Sequence, residues 1–236
     1  RMNILAIDTS GPVAGCAVMT DGRIVHSISL NHGLTHSETV MPAVEEALSA
    51  SGLRCADMDV FAAVAGPGSF TGVRLGVCAV KGMAHAVNRP CVPIHALEAL
   101  SMNFFGFDGL VCPILDARRR QVYCALFDTR GGFPVRVAED DAIGLDELLE
   151  RLPKNRRILF CGDGLSVHAQ TIVEAMGERA MIAPANLRDL RADAVCALAE
   201  RRREEWIPAQ ELRPVYLRAP QAERERNARL NREGKA

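Results

Sequence analysis

Aromatic residues are scarce in this sequence, and neither sign of charge is in clear excess. Phe, Trp and Tyr make up 5% of the residues, and 28 basic residues face 29 acidic ones, for a net charge of -1 at pH 7. Binding of nucleic acid through bulk positive charge is therefore excluded, although local basic patches stay compatible with this balance. The chain has no apolar run near the roughly 20 residues of a membrane span, and no basic stretch followed by an apolar segment opens it. We expect a cytoplasmic protein that does not contact a membrane.

Metal-binding and redox patterns are also missing. The eight cysteines form no CxxC pair, and most of them lie inside apolar runs, where a thiol behaves as a small hydrophobic side chain. A disulfide scaffold is implausible in a chain of 236 residues, and a zinc site would need closely spaced Cys and His pairs. The sequence therefore predicts no metal centre.

The first hundred residues alternate strand and helix signals. Residues 3–8 (NILAID) are an apolar run that ends in a carboxylate, and the turn dipeptide Asp21-Gly22 separates two further strand patterns. A three-stranded antiparallel meander is predicted there. Residues 60–65 (VFAAVA) are continuously apolar, which is typical of a strand buried on both faces. They lead into a glycine-rich loop and a helix that we expect to reach about residue 87.

The same order of elements returns in the second half. When the chain is shifted by 108 residues, Asp8 aligns with Asp116 and Cys16 aligns with Cys124. Residues 158–161 then enter a second glycine loop and a helical stretch, as residues 60–65 enter the first. This duplicated strand-hairpin-helix unit predicts an α/β protein of two lobes with a cleft between them. The layout resembles the actin-like fold of actin, sugar kinases and the Hsp70 chaperones.

The duplication also predicts the domain boundaries. We expect an N-terminal lobe at 1–102 and a C-terminal lobe at 103–217, with the segment 190–217 free to pack on either lobe. Residues 218–236 carry six Lys or Arg and three Glu with few apolar residues, which predicts a flexible charged tail.

The glycine loop GPGSFTGVRLG at residues 66–76 is the most informative stretch. Glycines permit a close approach of backbone to ligand, and the helix that follows offers free N–H groups that suit a phosphate. Packing of the glycines inside the fold is the other interpretation, and a Walker A motif is absent. The candidate nucleotide- or phosphate-binding residues are Asp8, Thr9, Ser10, Gly66, Gly68, Ser69, Thr71, Gly72 and Asp116.

Two arginine triplets stand out in the charge pattern. Residues 118–120 directly follow Asp116 in a predicted turn, and residues 201–203 end a predicted helix. Both triplets could contact RNA phosphates, whereas a solvated charged surface is the ordinary interpretation of such a run.

Four strings resemble one bacterial family closely. They are ILAIDTS (4–10), GPGSFTGVRLG (66–76), DARRRQVY (116–123) and PVYLR (214–218), and they are similar to the TsaB (YeaZ) proteins. The resemblance implies a role in the synthesis of threonylcarbamoyladenosine (t6A) beside the tRNA anticodon. It also implies TsaD, the catalytic subunit, and TsaE, an ATPase, as partners. Contact with tRNA would then be indirect. The resemblance assigns no cofactor to this chain, and ATP or ADP could bind in the complex.

Comparison with the catalytic relative argues against chemistry in this chain. The relative holds a metal with two histidines in the pattern HMEGH. When Glu98 is matched to that pattern, the ligand positions hold Ala96 and Leu100, and His95 lies one place too early to replace them. Neither side chain can ligate a metal, so we predict a non-catalytic subunit that binds and stabilises TsaD together with TsaE. The alternative is an ATP-dependent enzyme, or a glycoprotease-like (M22) hydrolase, that uses the cleft.

The partner surface is predicted on the two helices of the first lobe, at 38–50 and 70–87. Small residues allow close helix approach and apolar residues supply contact area. In the absence of TsaD, the chain would form a homodimer through the same surface. The predicted interface residues are Val40, Val44, Leu48, Gly72, Val73, Gly76, Ala79 and Val80.

Overall fold

The structure is a computed structural model of the 236-residue chain, and it describes residues 2–31, 33 and 35–217. The predicted charged tail at 218–236 lies outside the described residues.

The first half forms a five-stranded mixed sheet in the order β3-β2-β1-β4-β5. Its strands are β1 (Asn3–Asp8), β2 (Ala14–Thr20), β3 (Arg23–Leu30), β4 (Val60–Gly66) and β5 (Cys91–His95). Its helices are α1 (His36–Ala50), α2 (Phe70–Ala86) and the short α3 (Ala96–Ser101). The meander β1-β2-β3 is antiparallel, and β4 pairs with β1 in parallel, which confirms the predicted elements.

The second half repeats this topology, with the order β10-β9-β6-β7-β8. Its strands are β6 (Leu110–Asp116), β7 (Gln121–Asp128), β8 (Val135–Gly144), β9 (Ile158–Cys161) and β10 (Ala180–Ile182). Its helices are α4 (Leu145–Arg151), α5 (Leu165–Met176) and α6 (Ala192–Arg201). Because each sheet is a meander followed by two parallel strands, the prediction of a two-lobed, actin-like α/β fold is confirmed.

The central strands are apolar throughout because both of their faces are covered. Leu5 and Phe61 face α1 and α2, whereas Ile4 and Val60, their neighbours in sequence, face the opposite side. On that opposite side one continuous core joins α3 and α6 to the second sheet. Alternate residues of a strand point to opposite faces of its sheet, so each strand supplies both cores.

The end of the described chain returns to the first sheet. Helix α6 packs against β1 and β2, although it follows the second sheet in sequence. Beyond it, Ile207 pairs with Cys91 at the edge of the sheet, and the Val215 N–H donates to the Ala65 carbonyl at 2.7 Å. Residues 206–217 therefore run along α2 towards the glycine loop. We name them the strap.

No helix in the described part of the chain combines the length and the apolar character that a bilayer crossing needs.

Candidate functional site

A cleft of about 550 Å³ lies where the two sheets meet at their strand ends. The first lobe contributes the turn after β1 and the start of α2, and the second lobe contributes the end of β6 and the loop after β9. Its lining residues include Ser10, Gly68, Ser69, Thr71, Asp116, Arg118, Tyr123, Asp163 and Tyr216. Five of the predicted phosphate-binding residues are thus brought together, namely Ser10, Gly68, Ser69, Thr71 and Asp116.

Other parts of the chain pack closely against the glycines of the loop, and even at Gly68, which lines the cleft, a Cβ would collide with the Ser10 carbonyl. A side chain at Gly66 would collide with the Val215 carbonyl of the strap, and one at Gly72 would collide with the Thr9 carbonyl. The Thr9 hydroxyl also donates to the Gly72 carbonyl at 2.6 Å. Gly66, Gly72 and Thr9 therefore make contacts within the chain and do not line the cleft. Phosphate binding by the loop stays a prediction.

Asp8 lies beneath the cleft rather than in it. The carboxylate is 2% exposed, and its Oδ1 accepts hydrogen bonds from the Ser10 N–H at 2.8 Å and the Ser10 hydroxyl at 2.7 Å. Burial raises the pKa of Asp8 to about 6, against the lowering effect of the two bonds from Ser10. Asp116, its counterpart by duplication, is exposed, so the two aspartates differ in environment.

Asp163 is a site residue that the sequence reasoning missed. Its Oδ1 accepts a hydrogen bond from the Asp116 N–H at 2.8 Å, and burial raises its pKa to about 6, helped by the carboxylates of Asp116 and Asp189. Asp8, Asp163 and Asp189 line a second cavity of about 20 Å³ under the cleft. The sequence feature that could have indicated Asp163 is the glycine loop Gly162-Asp163-Gly164, because it repeats the loop at 66–68.

The positions matched to the metal-ligand pattern hold hydrocarbon. Ala96 and Leu100 are 0% exposed, within the core that joins the two sheets. Glu98 lies between them in sequence and forms an ion pair with Arg202 at the end of α6. His95 bonds through Nε2 to Asp140 of β8, which Arg136 also contacts. Among the described residues, no group of three or more His, Cys, Asp or Glu side chains is placed to hold a metal ion.

The residues predicted as a partner interface are mostly buried inside the chain. Val40, Val44, Val73 and Val80 are at most 2% exposed and pack beneath the first sheet, and Thr9 fills the space beside Gly72 and Gly76. These six positions cannot contact a partner, because their own fold covers them. Leu48 and Ala79 keep partial exposure. The outward apolar side chains of the same helices are Met41, Leu48, Leu75, Ala79 and Met83.

A family model and two kinds of known protein match the chain, over different extents. The family model described as TsaD, tRNA N6-adenosine threonylcarbamoyltransferase, matches residues 32–226. The TsaB protein of Bacillus subtilis, a tRNA threonylcarbamoyladenosine biosynthesis protein, is 35% identical over 223 residues, which are 94% of this chain and 96% of that protein. The tRNA N6-adenosine threonylcarbamoyltransferase of Prosthecochloris aestuarii is 33% identical over 126 residues, or 48% of this chain and 36% of that protein.

A solved structure has the same fold over the same extent. YeaZ from Pseudomonas aeruginosa superposes with a TM-score of 0.75 at 26% identity, and the match covers 92% of this chain and 100% of that chain. The full-length match to a TsaB protein contrasts with the partial match to the transferase. The chain therefore belongs to the family of the TsaB (YeaZ) tRNA threonylcarbamoyladenosine biosynthesis proteins.

Proposed function

We propose that this chain is a non-catalytic subunit for the transfer of the threonylcarbamoyl group to tRNA, and that it binds and stabilises a TsaD-type catalytic subunit together with TsaE. The observation that carries the proposal is the pair Ala96 and Leu100, which are fully buried hydrocarbon at the positions that match the relative's metal ligands. A buried alanine and leucine offer no lone pair to a metal. With no metal held there, the chain contributes by association rather than by chemistry.

The outward face of α1 and α2 supports association. Met41 is 45% exposed, and Leu48, Leu75 and Ala79 are half-buried beside it on the same two helices. Gly82 has open space where a side chain would stand, which permits another helix to approach the backbone of α2 closely. A half-exposed apolar face that includes a small residue suits helix-helix docking. We name this surface the helix-pair face.

We infer that the same surface also mediates self-association when no partner is present. A face that pairs with a related fold can also pair with itself around a two-fold axis. We therefore expect the isolated chain to form a homodimer. The catalytic subunit would bind the same face and so displace the second copy of the chain.

The test is co-elution of this chain with a TsaD-type subunit in size-exclusion chromatography. The interface variant is Met41→Glu with Ala79→Glu, and we expect it to lose co-elution while its circular dichroism stays that of the wild type. Val73→Asp would not serve, because Val73 is 2% exposed and a charge there would unfold the core.

The matched control carries the same two charges on another helix. Val167 and Val173 of α5 are 63% and 46% exposed, and we expect Val167→Glu with Val173→Glu to co-elute as the wild type does. Co-elution of a folded interface variant would remove the helix-pair face from the proposal. Failure of the wild-type chain to associate with the catalytic subunit and TsaE would overturn the proposed function itself.

A further inference from the structure

The turn between β6 and β7 holds three consecutive arginines in an unfavourable backbone conformation. Residues 118, 119 and 120 have φ of 62°, 53° and 61°, all in the left-handed region. Each residue with a Cβ that adopts this conformation costs the folded state about 1 kcal/mol or more. The Arg118 N–H donates to Asp116 Oδ1 at 2.8 Å, and the Gln121 N–H donates to the Arg118 carbonyl at 3.1 Å. The fold thus fixes a costly shape that a glycine would adopt freely.

Two side chains on this turn are left without counter-charges. All three arginines are exposed, and the guanidinium groups of Arg118 and Arg120 have no hydrogen-bond or ion-pair partner within residues 2–31, 33 and 35–217. Some other surface arginines form local ion pairs, as Arg130 does with Asp128 and Arg191 does with Asp193. Two unpaired cations on a fixed turn form a site for an external anion.

The position of the turn decides which kind of anion fits. Arg118 lines the rim of the cleft, opposite the hydroxyls of Ser69 and Thr71 on the other lobe. The carboxylates of Asp116 and Asp163 also line the cleft and disfavour a phosphate inside it. A small phosphorylated ligand inside the cleft would meet both negative charges. A polyanion that follows the rim would keep away from Asp163 and would meet the exposed guanidinium groups of the turn, although Asp116 lies at the base of the same turn.

We propose that Arg118 and Arg120 contact the phosphate backbone of an RNA, the tRNA that is modified, and this inference rests on the proposed function. Arginine presents a planar fork that matches two phosphate oxygens, and less side-chain entropy is lost for each hydrogen bond that such a fork forms. The contacts are to phosphates, so they position the RNA without reading its sequence. The tRNA contact of this chain is then direct at the turn, in addition to any contact through the complex.

The experiment measures tRNA affinity against salt. A fluorescein-labelled, unmodified tRNA transcript is titrated by fluorescence anisotropy with the full chain in complex with a TsaD-type subunit, between 50 and 300 mM KCl. Loss of two phosphate contacts in Arg118→Gln with Arg120→Gln should reduce the slope of log affinity against log salt by about 1.5, and weaken binding about tenfold at 50 mM.

Two controls separate charge at this turn from charge in general. Arg23→Gln with Arg89→Gln removes the same charge from exposed positions elsewhere, and it should leave the slope as in the wild type. Arg118→Lys with Arg120→Lys keeps the charge and should restore most of the slope. An unchanged slope in the glutamine pair, or an equal loss in the distant pair or in the lysine pair, would overturn the proposal.

Co-elution is recorded for each variant beside the titration. We expect the glutamine pair to assemble normally, because the turn is not part of the helix-pair face. If the wild-type chain does not assemble with the catalytic subunit, the proposed function fails. The same titration on the isolated full chain then still decides whether the turn binds RNA.

Discussion

Replacing Asp8 by asparagine should stabilise the protein at neutral pH. The carboxylate is 2% exposed, and its pKa in the folded chain is about 6 against an ordinary value of 3.8. The folded state therefore holds this proton more tightly than the unfolded state. The carboxylate costs no stability below pH 3.8, and its cost grows between pH 3.8 and 6 and is complete above pH 6.

The magnitude follows from the two pKa values. A difference of about 2 between 3.8 and about 6 corresponds to about 3 kcal/mol at pH 7.5, at 1.36 kcal/mol for each unit. Asparagine, like the protonated carboxyl group, is a neutral acceptor for the bonds from Ser10, so the pKa difference already includes the weaker acceptor. The expected net gain in the free energy of unfolding is about 3 kcal/mol at pH 7.5, with little gain at pH 4.

Urea unfolding followed by the fluorescence of Trp206, the single tryptophan, measures this directly. The matched control is Asp108→Asn, an exposed aspartate, which should change stability at neither pH. A gain of the same size at both pH values would show that the effect is not the buried charge. No gain at pH 7.5 would show that burial of the Asp8 carboxylate does not destabilise the folded chain.

Two further substitutions, each with a matched control, test the close packing at a glycine and the stabilisation by a buried ion pair. Urea unfolding measures the effect in both cases. Gly72→Ala should cost more than about 2 kcal/mol, because the new Cβ would collide with a backbone carbonyl, whereas Gly82→Ala on the same helix has open space and should gain about 0.5–1 kcal/mol. Equal effects at the two glycines would contradict the close packing. Arg202→Ala leaves the buried carboxylate of Glu98 unpaired and should cost about 3 kcal/mol, whereas Arg203→Ala, exposed, should cost less than about 0.5 kcal/mol. Similar losses for the two arginines would show that the ion pair does not stabilise the fold.

Much of the fold could be predicted from the sequence because its central strands are buried on both faces. A continuous apolar run bounded by turn residues, such as residues 60–65, indicates a strand of this kind, and the order of elements after Asp8 returns after Asp116. Strand β8 was not predicted because it is an edge strand rich in acidic residues, with most side chains exposed or half-exposed. Strand β10 has three residues, too few for a periodic signal.

The site was harder to predict because tertiary contacts decide what each residue faces. The glycines of the loop do mark places of close approach, but nothing local shows that Thr9, distant in sequence, occupies the space beside Gly72. An apolar helix face has the same sequence pattern whether it covers its own sheet or a partner. For that reason the pattern placed Val40 and Val73 in the interface, although they are core residues.

The central claim is that this chain assists the modification of tRNA without catalysing it. The most sensitive measurement is the amount of threonylcarbamoyladenosine in digested tRNA, by mass spectrometry, after incubation of unmodified tRNA with a threonylcarbamoyl donor and ATP. We expect no product with this chain alone, and product when a TsaD-type subunit and TsaE are added. Product formed by the purified chain alone, in proportion to its concentration, would contradict the claim.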